Sequence, residues 1–215
     1  MTVEIVKDLR GAFGLARDQD PRPTCMAFAA SDAHASARGK WEPLSVEWAY
    51  YHALKREGSV PHRGVYMTTM LDTLRLDGQP VEAEWPYVAS LFTDIENWQP
   101  PAASIIFKRE SAPVPTGNEY IIAQIKLGNP VLFTMSISKS FFTPASNGII
   151  DADEPVEINR VHALIAVGCG KKDGKEYILV RNSWGPYWGI GGYAWLEAGY
   201  LSKRLKVSAI ILGEI

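Results

Sequence analysis

The sequence predicts an α+β fold in two lobes, a mainly helical lobe over about 10–115 and a mainly β lobe over about 116–210, within one domain spanning 1–215. Three observations predict it. Helix-favouring segments fill the first half, and apolar, β-branched runs of strand length fill the second. Between them, the proline-punctuated stretch 82–117 lacks clear periodicity. With 215 residues, 47% of them hydrophobic, the chain can bury a sizeable core and is not disordered as a whole.

Taken in order, the first helix is predicted over 24–38. It is rich in alanine, the best helix former, has no Gly or Pro, and follows Pro23, which suits a helix start. A second is predicted over 44–55, with Leu44, Trp48, Tyr51 and Leu54 on one face, Ser45 at its start and Gly58 as its stop. A third, over about 67–76, ends at Asp77-Gly78. Within 82–117, Trp85-Pro86-Tyr87, Pro100-Pro101 and Pro113-Val114-Pro115 read as an irregular connection and the lobe boundary. A fourth helix over 119–127 is broken by Gly128-Asn129-Pro130. Strands follow over 131–138, 161–169, 177–182, 193–196 and 207–212, the second and third joined by the turn Lys171-Lys172-Asp173-Gly174. These form an antiparallel sheet or barrel. The aromatics Trp41, Trp48, Tyr50 and Tyr51 read as core packing.

Composition narrows the function classes. A net charge of −2 argues against a nucleic-acid binder. No run approaches the roughly 18 apolar residues of a membrane span, so no membrane insertion is expected. The N-terminus lacks the apolar core and small-residue cleavage site of a signal peptide. Two cysteines permit at most one disulfide, which points to a reduced, cytoplasmic protein. His34, His52 and His62 show no metal-ligand spacing and read as packing or solvated residues, so no metal is expected. Gly168-Cys169-Gly170 is not followed by a strand–turn–helix phosphate loop, and Cys169 reads as a small buried hydrophobe.

Three residues together suggest chemistry. Cys25 opens the alanine-rich helix, where helix dipoles and free N–H groups favour a thiolate. His162 opens a strand and can serve as base and then acid. Asn182 ends the next strand and can fix the imidazole through its other nitrogen. His162 lies 137 positions after Cys25 and Asn182 lies 157 after it. The partners of such a cysteine stand about 130–150 downstream in papain-type enzymes, so Asn182 falls slightly beyond that window, which a longer Lys171–Gly174 hairpin would explain.

The motifs around these residues resemble those of the papain-like cysteine peptidases over most of the chain. His162-Ala163 is followed by Asn182-Ser183-Trp184-Gly185, Trp188-Gly189 and Gly192-Tyr193. Upstream, Gln19 stands six residues before Cys25, with Ala27 and Phe28 after it. Leu44-Ser45, Gly64 and Trp85-Pro86-Tyr87 resemble further landmarks. The resemblance implies a papain-like fold, a helical lobe against a β-barrel-like lobe with the cleft between. It implies Cys25 as nucleophile, His162 as general base and acid, Asn182 as its orienting partner and Gln19 as an oxyanion donor. Trp184 would shield the His162–Asn182 bond, and Trp188 would flank the leaving group. Substrate would meet Gly64, Val65, Tyr66, Met67, Thr134, Val161 and Ala163. Of these, Tyr66, Met67, Thr134 and Ala163 would form an apolar pocket for the second residue before the cleaved bond.

Departures accompany the likeness. The family usually reads Cys-Gly-Ser-Cys-Trp where this chain reads Arg22-Pro23-Thr24-Cys25-Met26, so Arg22 removes a cysteine that normally enters a disulfide. Val65 replaces the second glycine of a pair, and Val161 stands before His162 where a smaller or polar residue is commoner. This disulfide-poor, divergent character is consistent with a bacterial source. The resulting expectation is a cysteine-type peptidase, acting as a monomer on a peptide or protein substrate through a Cys25 acyl-enzyme, with no metal or organic cofactor. A catalytically silent module that binds a peptide or partner, and a Cys-His acyltransferase or deamidase, are the alternatives. Met1 falls almost where the family's mature domain begins. That implies a dedicated substrate, export as an effector without a visible signal peptide, or an inhibitory or delivery partner protein.

Overall fold

The fold was read from a computed structural model that describes residues 2–90, 97–151 and 153–215. Met1 and the 91–96 part of the expected 82–117 connection lie outside the described residues. In chain order the elements are β1 (Glu4–Asp8), α1 (Cys25–Ser36), α2 (Val46–Glu57), α3 (Met67–Leu76), β2 (Arg109–Val114), α4 (Asn118–Leu127), β3 (Val131–Ser136), α5 (Lys139–Phe142), β4 (Ile149–Ile150), β5 (Val161–Lys172), β6 (Lys175–Arg181), β7 (Tyr193–Glu197), α6 (Ala198–Ser202) and β8 (Leu205–Glu214).

Helix α1 is buried continuously from Met26 to Ala35, apolar and polar residues alike. A helix covered all round must be central, and α1 packs on β5 and β3 on one side and on α2 and α3 on the other. Its alanines at 27, 30 and 35 have no exposed surface, and their small side chains allow that close approach. Helix α2 begins where the Ser45 Oγ accepts from the Trp48 N–H at 3.1 Å, and ends at Gly58 in the left-handed conformation, φ 58°. Its buried stripe is Val46, Ala49, Tyr50, Ala53 and Leu54, not the expected face through Trp48 and Tyr51. The small Ala49 and Ala53 face inward, while Trp48 and Tyr51 remain half-buried and pack on Trp85, Tyr51 also on Trp98.

The sheet runs β2-β8-β3-β5-β6-β7-β4, with β1 added on the far end of β5. Every pairing is antiparallel except β4 with β7. Among the described residues no pairing joins β2 to β4, so the sheet is open where the sequence suggested a barrel. Both edges suit that ending: β2 carries Pro113, which has no N–H to donate, and β4 is only two residues long. Three strands were not anticipated, the two-residue β4 among them. Strand β2 falls inside the supposed irregular connection yet pairs with β8. Strand β1 pairs with β5 from Glu4↔Lys171 to Asp8↔Gly168. Its backbone comes so close that a Cβ on Gly168 would sit 2.9 Å from the Lys7 carbonyl oxygen, and one on Gly170 2.5 Å from that of Glu4. The two glycines flanking Cys169 thus serve strand packing. The β5–β6 hairpin turns at Asp173 and Gly174, both at positive φ, as a two-residue hairpin turn requires.

Strand β5 separates two cores. Ala163, Ile165 and Val167 face α1 and its neighbours, and Leu164, Ala166 and Cys169 face the other layer, where α4, Phe141 and Tyr200 pack. A bulge between Ala166 and Gly168 resets the alternation. Among the described residues no helix is long and apolar enough to cross a membrane.

Candidate active site

Cys25 is the first residue of α1. The preceding Thr24 side chain does not cap the helix, so the first-turn N–H groups remain available to the thiol. Cys25 is half-buried and free of any disulfide. Burial pushes its thiol up, and the backbone amides of Ala163, Met26 and Cys25 itself pull it back.

His162 stands at the mouth of β5, paired with Met135 of β3, and is 5% exposed. Its Nε2 lies 2.7 Å from Asn182 Oδ1. The Ser183 backbone N–H donates to the same oxygen at 2.8 Å. Because a main-chain N–H can only donate, that atom is the amide oxygen, and Nε2 must carry the proton it shares with it. Nδ1 of the neutral ring is then the acceptor. Burial pushes the imidazole down to about 4, opposed by the Asn182 bond. Trp184 covers the pair, its ring centre 4.7 Å from that of His162, and is stacked on Phe142 at 5.3 Å. Phe141 meets Trp184 edge-on at 5.4 Å.

Gln19 is held at both ends of its amide. Ser183 Oγ donates to Oε1 at 2.7 Å, and Nε2 donates to the Arg22 carbonyl at 2.9 Å. One N–H of Nε2 remains for another acceptor. The main chain is tied likewise, Gln19 N–H to the Ser183 carbonyl at 2.8 Å and the Tyr87 hydroxyl to the Gln19 carbonyl at 2.5 Å.

Cys25 and His162 open onto one cavity of about 710 Å³. Gly64, Val65, Tyr66, Thr134, Val161 and Ala163 line it. Gly64 is open on the side where a Cβ would project, with only the Pro23 carbonyl oxygen near, at 4.0 Å. Met67 faces an adjoining cavity of about 570 Å³ that shares Tyr66 with the first. Trp184 and Trp188 lie outside the lining, Trp188 being buried with its Nε1 donating to the Phe141 carbonyl at 3.0 Å. Sequence reasoning missed Glu57 and Arg63 on the rim of the first cavity. It also missed a buried ionic tie behind the site. Asp32 of α1 accepts from Arg181 Nε at 2.7 Å and from Arg17 Nε at 2.8 Å, linking the helix of Cys25 to the strand that leads into Asn182. A run of polar residues inside the alanine-rich helix was the available signal.

The chain is 31% identical over 137 residues to chymopapain of Carica papaya, covering 63% of this chain and 37% of that protein. Against solved structures, the bromelain protease from Ananas comosus in complex with the E64 inhibitor is 25% identical with a TM-score of 0.76, covering 95% of this chain and 97% of that one. Xylellain, a cysteine protease from Xylella fastidiosa, shares the fold at 24% identity with a TM-score of 0.77, covering 96% and 85%. The chain spans between 27% and 37% of the length of the first curated relatives it matches. The sequence profile described as papain family cysteine protease matches residues 11–209, and on that match the chain belongs to the papain family.

Proposed function

We propose that this chain hydrolyses peptide bonds, with Cys25 as nucleophile, His162 as base and acid, Asn182 as the partner that orients His162, and Gln19 as an oxyanion donor. The observation that carries the reading is that Cys25 and His162 open onto one cavity while Asn182 occupies the far nitrogen of the imidazole. The near nitrogen is thereby left to take the thiol proton.

In the reaction, Cys25 passes its proton to His162 Nδ1 and its sulfur adds to the substrate carbonyl carbon. The oxygen gains negative charge and is met by the Cys25 backbone N–H and the free Nε2 hydrogen of Gln19. His162 returns the proton to the departing amine as the C–N bond breaks, leaving a thioester. Water, deprotonated by His162, then adds to that thioester and releases the acid and the thiol. Tyr66, Thr134 and Ala163 would take an apolar side chain two residues before the cleaved bond, with Met67 on the adjoining cavity that shares Tyr66. The two free cysteines support action in a reducing compartment on a peptide or protein substrate. A dedicated substrate or a controlling partner protein would limit it there.

Incubation with a denatured protein, followed by mass spectrometry, tests the reading. New peptide termini, absent with Cys25→Ala, are expected. Mass shifts on intact side chains would point to transfer or deamidation, and an untouched substrate together with a Cys25 that alkylates no faster than free cysteine would point to a binding module; either refutes peptide hydrolysis.

A further inference from the structure

The chemistry above leaves a buried ion pair unused. Arg22 is 2% exposed and Glu47 of α2 is fully buried. They meet as a fork, Nη1 to Oε2 at 2.7 Å and Nη2 to Oε1 at 2.9 Å. Arg22 Nη1 also donates to the Val88 carbonyl at 2.6 Å, and Glu47 further accepts from Trp98 Nε1 at 2.7 Å. The rings of Tyr87 and Tyr50 lie 5.0 and 5.3 Å from the guanidinium. Replacing such a pair by apolar residues is often neutral for stability, but a bidentate fork fixes distance and direction as apolar contacts do not.

What it fixes is the Arg22 main chain. The Arg22 carbonyl accepts from Gln19 Nε2 at 2.9 Å and from the Thr24 N–H at 2.8 Å, and Cys25 follows directly. Ser183 holds one end of the Gln19 amide, and the Arg22 carbonyl holds the other. The direction of the remaining Nε2 hydrogen therefore depends on where the 19–24 segment sits. We propose that Arg22, locked to Glu47, is a positioning residue for the oxyanion donor Gln19. This rests on the peptidase reading above.

The test separates oxyanion binding from nucleophile reactivity. A peptide aldehyde adds to the thiol and places its former carbonyl oxygen in the oxyanion site, whereas alkylation by iodoacetamide needs the thiolate alone. The variant is Arg22→Met with Glu47→Gln, which removes both charges and keeps an acceptor for Trp98. Aldehyde affinity and kcat are expected to fall about tenfold to a hundredfold, with KM changed less than about threefold. The alkylation rate constant at Cys25 is expected to stay within about twofold, with circular dichroism unchanged. Arg22→Lys, which keeps the charge without the fork, should lie between the variant and the parent, and it carries the same comparison if the double variant does not fold. Unchanged aldehyde affinity in a folded variant overturns the proposal. So does an equal loss in alkylation, which would place the effect on the nucleophile. A parent protein that neither binds the aldehyde nor alkylates at Cys25 overturns the peptidase reading itself, and this proposal with it.

Discussion

Replacing His162 with Ala isolates the Cys25 thiol in surroundings that disfavour its charge. Burial pushes the thiol above its ordinary value and pushes the imidazole down to about 4, so neither group ionises readily alone. Charge can appear in both at once, because the imidazolium is the counterion that the thiolate lacks and the N-terminus of α1 adds a favourable field. The parent is therefore expected to alkylate with iodoacetamide at nearly constant rate from pH 6 to pH 8, since the proton moves within the pair. Without His162 the thiol titrates alone, above the ordinary cysteine value of about 8.5. At pH 6 fewer than about one thiol in three hundred is then ionised, so the labelling rate should fall by the ratio of the parent's ion-paired fraction to that one, about 300-fold for a fully charged parent pair. Below pH 8 it should fall about tenfold per pH unit. Iodoacetamide labelling followed by peptide mapping at Cys25 across that range measures both slopes. Equal rates for variant and parent at pH 6 would refute the shared-proton argument.

Two further outcomes concern stability. Asp32→Ala removes the only carboxylate bonded to Arg181 among the described residues, leaving this buried cation with the Gly14 and Leu15 carbonyls and the Tyr193 hydroxyl. Urea unfolding should show a loss of about 3–5 kcal/mol, and a loss below about 1 kcal/mol would refute the importance of the tie. His34, fully buried with Nδ1 at 3.0 Å from Gln79 Oε1, is pushed down to about 4 by burial, against about 6.5 in the unfolded chain. The unfolded state therefore takes up the proton first as pH falls. The contribution of this residue is complete above pH 6.5 and is lost between 6.5 and 4, by about 3 kcal/mol. A His34→Gln variant with an unaltered pH slope of unfolding free energy would contradict this.

The site was legible where chemistry depends on residue type and order. Cys25, His162 and Asn182 could be singled out as candidates because a thiol at a helix start, an imidazole and an amide can serve one purpose, and the structure puts Cys25 and His162 on one cavity and bonds His162 to Asn182. Local turns were equally readable, Ser45 at the start of α2 and Asp173-Gly174 between β5 and β6. What escaped depends on partners distant in the chain. Strand β1, Glu4-Ile5-Val6-Lys7-Asp8, is largely exposed and becomes a strand only because Gly168 and Gly170 admit it. Strand β2 was hidden by its proline, which an edge position tolerates. Glu47 stands in the first turn of α2, where an acidic residue suits the helix start on its own, and Arg22 was read as a lost cysteine. Their pairing spans 25 positions and leaves no local pattern. The expected face of α2 followed its largest side chains, whereas close helix packing selected its alanines.

The ionic tie at Asp32 bears on how the molecule could move. Cys25 rides on one side of it and Asn182 on the other, and Arg181 is clamped by four hydrogen-bond partners between them. Rocking one half of the molecule against the other would expose a desolvated cation, so such breathing carries a steep penalty. Room for a bulky substrate must then come from side chains that already face solvent, such as Tyr66 at 76% exposure and Val161 at 52%. The expectation is a cleft that adapts at its lips, through rotamer changes that exposed side chains make on the nanosecond scale, and not by slow opening of its two sides.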